Sequence, residues 1–243
     1  MLFRDKTAIV TGAGRGVGRA ISLALAKEGA KVAVVARTND EIESAAQEIT
    51  ATGGKAMAIP ADVSDEEDVV RIVRETTLAF GPVDILINNA ARMILSRIEE
   101  TTLEDWEELQ AINLRGPFLL SREVLPSMKA RKTGRIINIG SLAGRRGYTE
   151  QGAYCASKHG LVGLTKVLAI EAQDFDIRVH LVAPGGVLTD LSAPLREARG
   201  GVRAEEWMTV EEVADAVLYL CTQDGAAITD ELVLRRYKSE PWR

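Results

Sequence analysis

Thr7-Ala8-Ile9-Val10-Thr11-Gly12-Ala13-Gly14-Arg15-Gly16-Val17-Gly18 is the stretch that decides the fold of this chain. Residues 7–10 are a short apolar run suited to a buried strand, and the glycine-rich turn leads into a helical stretch ending near Gly29. Glycines let the backbone turn tightly, approach a ligand closely and pack the helix on the strand. The helix N-terminus offers free N–H groups and the positive end of the dipole, which suits a pyrophosphate. A glycine pattern alone is weak evidence. A strand before it and a helix after it make it a dinucleotide-binding turn.

Outward from that turn, strand and helix signals alternate. Residues 31–36 are a second strand, and Ile42, Ala45, Ala46 and Ile49 recur at i, i+3, i+4 and i+7, one face of a helix. Residues 56–60 are a third strand, and Ser64-Asp65-Glu66-Glu67 reads as a capping box opening the next helix. A strand over 84–89 follows. Thr102-Leu103-Glu104-Asp105 then opens a long helix reaching Arg131, with a bend expected at Gly116-Pro117. Residues 135–139 are a strand, 151–174 a helix, 178–183 a strand, 185–208 irregular, 209–221 helical and 231–236 a closing strand. Such alternation implies a parallel sheet with helices on both faces, an α/β doubly wound architecture. No repeat or linker divides the 243 residues, so a single domain is expected over 1–243. Its ligand belongs at the carboxyl ends of the strands, where strand order reverses.

Composition removes several classes. With 46% hydrophobic and 27% charged residues the chain is an ordinary globular protein. A net charge of −5 leaves no basic field for nucleic acid or anionic lipid. Two cysteines, Cys155 and Cys221, are too few for a zinc site or a disulfide framework, and no metal-ligand cluster stands out. His159 and His180 are expected to be structural. No signal-peptide pattern or membrane-length apolar run is present, so a cytoplasmic location is expected.

The end of the second strand selects the dinucleotide. A carboxylate there accepts from the ribose 2′-OH of NAD, but this chain reads Val34-Val35-Ala36-Arg37-Thr38. Arg37, with Arg15 from the glycine turn, can bond a 2′-phosphate instead, so NADP(H) is expected over NAD(H). Further on, Tyr154-Cys155-Ala156-Ser157-Lys158 puts a phenol and an ammonium on one helix face. A free phenol titrates near 10, so a neighbouring cation is needed to stabilise a phenolate near neutrality. Ser141 follows the strand over 135–139, at the ligand-binding edge.

With these residues in order, the chain resembles the short-chain dehydrogenase/reductase family in its compact form, over Leu2 to about Ile228. The resemblance rests on Thr11-Gly-x-x-x-Gly16-x-Gly18, Asp62-Val63, Asn88-Asn89-Ala90, Asn113, Ser141, Tyr154-x-x-x-Lys158, and Pro184-Gly185 with Thr189. It implies a seven-stranded Rossmann sheet of order 3-2-1-4-5-6-7 and a homodimer or homotetramer. It also implies hydride exchange between an alcohol and a carbonyl, with Asn113, Ser141, Tyr154 and Lys158 as the catalytic set. Tyr154 would be the acid/base, Lys158 would lower its pKa and hold the nicotinamide ribose, and Ser141 would bond the substrate oxygen. Asn113 would hold a water leading to solvent. Cofactor contacts would come from Gly12, Gly14, Arg15, Gly16, Val17, Gly18, Arg37, Asp62, Val63, Asn89, Ala90, Tyr154, Lys158, Pro184, Gly185, Val187 and Thr189.

Three features depart from the family pattern. Ala91 replaces a glycine. The chain ends on an unusual Thr229–Arg243 sequence, and the short segment over 185–208, rich in charge and glycine and expected to cover the substrate, offers no aromatic wall for a steroid. The nearest resemblance is to 3-oxoacyl-(acyl-carrier-protein) reductases, through residues 134–141 and Val182-Ala183-Pro184-Gly185. Glu171, Asp174 and Asp176 would repel an acidic carrier, so a small ketone, sugar or polyol is an alternative substrate. A non-catalytic dinucleotide sensor is the alternative of a different class.

Overall fold

The computed structural model describes residues 1–198, 200–201, 203 and 206–240. Seven parallel strands are joined by helices: β1 (Thr7–Thr11), α1 (Gly16–Lys27), β2 (Lys31–Ala36), α2 (Asn39–Ala51), β3 (Lys55–Pro60), α3 (Glu66–Phe80), β4 (Ile85–Asn88), α4 (Leu103–Gln110), α5 (Gly116–Arg131), β5 (Gly134–Ile139), α6 (Gly152–Ala172), β6 (Ile177–Pro184), α7 (Ala193–Ala198), α8 (Val210–Thr222) and β7 (Glu231–Leu234). Sheet order is β3-β2-β1-β4-β5-β6-β7, the doubly wound order expected from the sequence. Order reverses between β1 and β4, which opens a crevice at their carboxyl ends.

Strand alternation distributes the core to the two faces. Ala8, Val10, Val32 and Val34 pack with Ile21 and Leu25 of α1, Ile42 and Ile49 of α2, and Val213 and Val217 of α8. The intervening Ile9, Ala33 and Val35 pack with Val69 and Ile72 of α3, Leu120 and Val124 of α5, and Leu168 of α6. Each fully buried aliphatic side chain of this kind contributes roughly 1.5–3 kcal/mol. No helix among the described residues is long and apolar enough to cross a membrane.

Several boundaries differ from the sequence expectation for local reasons. The capping box expected at Ser64 is displaced by one residue. The Asp62 carboxylate takes both the N–H and hydroxyl of Ser64, and Asp65 caps α3 by accepting from the Asp68 N–H. Thr102 does cap α4, accepting from Asp105 N–H at 3.1 Å. The expected bend at Gly116-Pro117 is instead one π-type turn, Ala111–Arg115, continuous with α4 and α5. The Gly116 N–H reaches back five residues to Ala111 O, and Pro117 has no N–H for the Asn113 carbonyl. In the segment over 185–208, Asp190–Ser192 forms a 3-10 turn and α7 follows. Its ends are tied by a Val187–Met208 bridge, while Arg199, Val202, Ala204 and Glu205 lie outside the described residues. The closing strand stops at Leu234 rather than Arg236. Pro241-Trp242-Arg243 also lies outside the described residues.

Candidate functional site

The crevice at the strand ends is a cavity of about 480 Å³ that runs from the glycine turn to Tyr154. At the turn, Gly12 and Gly16 have φ of 61° and 56°, backbone that favours glycine. Gly18 is required by packing, since a Cβ there would lie 2.2 Å from the Gly12 carbonyl oxygen. Asn89 secures the turn from below, donating from Nδ2 to Thr11 O at 2.9 Å and Gly12 O at 3.2 Å. Thr11 Oγ1 accepts in return from the N–H groups of Asn89 and Ala90. No side chain caps the start of α1 and no acidic residue lies in its first turn. Its leading N–H groups and dipole are therefore available to an anion, and the close approach at Gly12 leaves backbone rather than side chain facing the cavity. These features fit the diphosphate of a dinucleotide.

Other expected binding residues line the same cavity. Arg15 and Arg37 are largely exposed at one end. Arg15 is bonded to Asp190 at 3.3 Å and lies 3.7 Å from Glu41, while Arg37 lies 3.9 Å from Glu108. A 2′-phosphate would compete with these carboxylates for the two guanidinium groups. Asp62 and Val63 follow β3, Ala90 follows β4, Pro184 ends β6, and Gly185, Val187 and Thr189 follow it. Thr189 stands across from Gly16, its Cγ2 3.5 Å from where a Cβ would be.

At the opposite end, β5 delivers Ser141 and α6 delivers Tyr154 and Lys158 to one place. Tyr154 and Lys158 are buried, with exposures of 7% and 2%. Burial pushes the Tyr154 phenol up to about 12, against the opposing hydrogen bond with Ser141. Burial likewise pulls Lys158 down to about 8. Its Nζ donates to the Ile139 carbonyl at 2.9 Å and stands 5.8 Å from the centre of the Tyr154 ring. Asn113 sits in the π-type turn with its side chain fully engaged. Its Oδ1 accepts from Arg92 N–H, and its Nδ2 donates to Arg92 O and Ser157 Oγ. It therefore fastens the β4 loop to α6 behind Lys158, and it does not itself line the cavity.

Sequence reasoning missed the far wall. Trp207, 5% exposed, lines the cavity with its ring edge 2.8 Å from where a Cβ on Gly186 would lie, so the 185–208 segment does supply an aromatic wall. Arg146, Tyr148, Arg236 and Ser239 line the same end. Nothing in their spacing marks them. Only the returning C-terminus and the loop after β5 bring them together.

Comparison with known proteins agrees with this geometry. Residues 6–200 match the family model for short chain dehydrogenase. A 3-oxoacyl-[acyl-carrier-protein] reductase of Synechocystis sp. is 37% identical over 225 residues, 91% of each chain. Among solved structures, a metagenomic short-chain oxidoreductase in complex with NADP superposes with a TM-score of 0.84 at 33% identity, covering 97% of this chain and 99% of that one. A short-chain type dehydrogenase/reductase from Mycobacterium marinum gives a TM-score of 0.91 at 30% identity, covering 98% and 97%. The chain belongs to the short-chain dehydrogenase/reductase family, and is an oxidoreductase that acts on CH–OH and C=O groups with a nicotinamide dinucleotide.

Proposed function

We propose that this enzyme is an NADP(H)-dependent carbonyl reductase, able to oxidise the alcohol in reverse, with Tyr154 as its acid/base. The observation that carries this reading is the convergence of Ser141, Tyr154 and Lys158 on a cavity that continues to the uncapped start of α1. When bound, the dinucleotide supplies the hydride to the carbonyl carbon, or accepts it in the reverse direction. Gly12, Gly14, Gly16 and Val17 hold its diphosphate, Gly18 lets α1 pack against the turn, Asp62 and Val63 hold its adenine, and Asn89 and Ala90 support the turn. Arg15 and Arg37 take the 2′-phosphate, and Pro184, Gly185, Val187 and Thr189 hold the carboxamide end. Lys158 and Tyr154 hold the adjacent ribose.

Tyr154 gives its proton to the carbonyl oxygen as hydride reaches carbon, so C=O becomes CH–OH. A phenol near 12 is a competent donor, but for the reverse step it must become phenolate, and that needs a cation close by. Lys158 is that cation when protonated. Ser141 donates to the same substrate oxygen as negative charge develops. Reprotonation would run through Lys158 toward the π-type turn, where the Asn113 main-chain carbonyl has no i+4 N–H partner because residue 117 is proline and would hold a water.

Residues 1–243 act as one dinucleotide-binding and catalytic unit, with 185–208 covering the substrate. The relatives support a 3-oxoacyl thioester-like substrate. Exposed Glu171, Asp174 and Asp176, in the last turn of α6 and just beyond it, oppose delivery by an acidic carrier and favour a free small molecule. Exposed Leu103, Phe118, Val167 and Ile170 on α4, α5 and α6 support a homodimer or homotetramer, and two free, buried cysteines suit a reducing cytoplasm. The intact Ser141, Tyr154 and Lys158 set disfavours a non-catalytic dinucleotide sensor.

The test is NADPH oxidation against a panel of ketones and 3-oxoacyl thioesters by wild type and Tyr154→Phe. Loss of the proton donor lowers kcat by roughly 10²–10⁴ while NADPH still binds. Equal turnover by the two proteins would refute the assignment.

A further inference from the structure

The unusual C-terminus forms part of the substrate wall. After Leu234, whose carbonyl accepts from Gly185 N–H at 2.8 Å, the chain folds back in a tight turn. Arg235 Nη1 donates to the carbonyls of Arg236, Tyr237 and Ser239 at 3.1, 2.8 and 2.7 Å. Ser239 donates to Arg236 O from both its N–H and its hydroxyl. This turn sets the Arg236 guanidinium 5.2 Å from the centre of the Trp207 ring, half-buried and lining the cavity that Tyr154 and Ser141 also line. A second cation reaches that cavity from the loop after β5. Arg146 donates from Nε to Tyr148 Oη at 2.7 Å and lies over the same ring at 4.9 Å.

Charge is divided unevenly along the cavity. Its carboxylates are Glu41, Asp62 and Asp190. Glu41 and Asp190 pair with Arg15, and Asp62 holds Ser64. Among the described residues no carboxylate pairs with Arg146 or Arg236. Two guanidinium groups, exposed Arg146 and half-buried Arg236, each against an aromatic ring, thus line this cavity with no carboxylate paired to them among the described residues.

We infer that this end binds the carboxylate of an oxo or hydroxy acid, and that Arg236 is the residue that selects for it. The inference rests on the oxidoreductase reading of the cavity and narrows its substrate class. A planar guanidinium matches a carboxylate bidentately, and the tryptophan face restricts the fork to few orientations. A neutral ketone, sugar or amide offers the two cations no carboxylate and forgoes that stabilisation.

The experiment uses matched substrates: short oxo acids and their primary amides, assayed with NADPH. The ratio of kcat/KM for acid over amide should exceed about tenfold in wild type, fall toward unity in Arg236→Met, and be only partly restored in Arg236→Lys, which keeps the charge and loses the planar fork. Met keeps the apolar stem over Trp207, so a fall there reflects charge and not packing. Butyrate, butyramide and propyl phosphate are then compared as ligands of the NADPH-loaded enzyme by calorimetry. Butyrate should bind about tenfold or more tighter than butyramide, and Arg236→Met should abolish the difference. An acid-to-amide ratio near unity in wild type, or one unchanged in Arg236→Met, would overturn the inference while leaving the reductase assignment intact. Tighter binding of propyl phosphate than butyrate would overturn the carboxylate class. Butyrate binding that depends on Arg236, with no turnover of any carbonyl, would retain the anion site and refute the reductase.

Discussion

Replacing Lys158 with methionine should change the stability of this protein in a pH-dependent way, because the wild type buries an ionisable amine. Lys158 is 2% exposed, and burial takes it from an ordinary 10.5 to about 8. Between those values the unfolded chain holds a proton that the folded protein has released, so stability rises with pH across the window. Below pH 8 both states are protonated and the cost of the buried ammonium is fully present; above 10.5 both are neutral and it is gone. At ~1.4 kcal/mol per pKa unit, the drop from 10.5 to about 8 corresponds to ~3 kcal/mol. Methionine does not titrate, so the stability of wild type relative to Lys158→Met should improve by about 2–3 kcal/mol between pH 7 and pH 10. The bond to Ile139 O is lost at every pH and shifts the difference without tilting it. Tyr154, raised from 10.0 to about 12, works the other way above pH 10, since the unfolded phenol ionises first. It is common to both proteins and largely cancels. Urea unfolding of the two proteins at pH 7, 8, 9 and 10 measures the difference. A difference flat to within about 0.5 kcal/mol would show that Lys158 is not held in a low-dielectric site. That would undercut its place beside Tyr154, because an amine in open solvent stabilises a phenolate weakly.

Two further outcomes follow from the cofactor end of the cavity. Gly18→Ala places a methyl 2.2 Å from the Gly12 carbonyl oxygen, which is backbone and cannot rotate away. The expected cost is about 1–3 kcal/mol, with a parallel loss of NADPH affinity as the turn shifts; thermal unfolding and a binding titration check both, and an unchanged pair would exclude the packing described. Arg37→Ala should weaken NADPH by roughly tenfold and leave NADH nearly untouched, since only the former carries a 2′-phosphate. Wild type that binds NADH more tightly than NADPH would overturn the cofactor preference.

The strand cores were legible because each is a continuous apolar run, and a parallel sheet buried on both faces allows little else. The boundaries were less so. At Ser64 two short polar side chains compete for one cap, and only the geometry of the Asp62 carboxylate gives it to Asp65. At Gly116-Pro117 a missing N–H announces a disturbance, but whether the chain kinks or absorbs an extra residue into a π-type turn depends on packing around Asn113. That buried side chain bonds to the Arg92 backbone and Ser157, partners 21 and 44 residues away, which its local sequence does not indicate.

The sequence by itself determined the doubly wound fold, the dinucleotide turn, and the shared helix face of Tyr154 and Lys158, since each depends on local spacing along one strand or helix. Tertiary structure alone decided the far wall of the cavity. Trp207 and Arg236 are 29 positions apart, each unremarkable in its own segment. They meet because β7 pairs with β6 and the Arg235 turn sends the chain back across the crevice. The residues proposed for the chemistry thus lie close in sequence, which a motif can record. The residues proposed to select the substrate become neighbours only on folding.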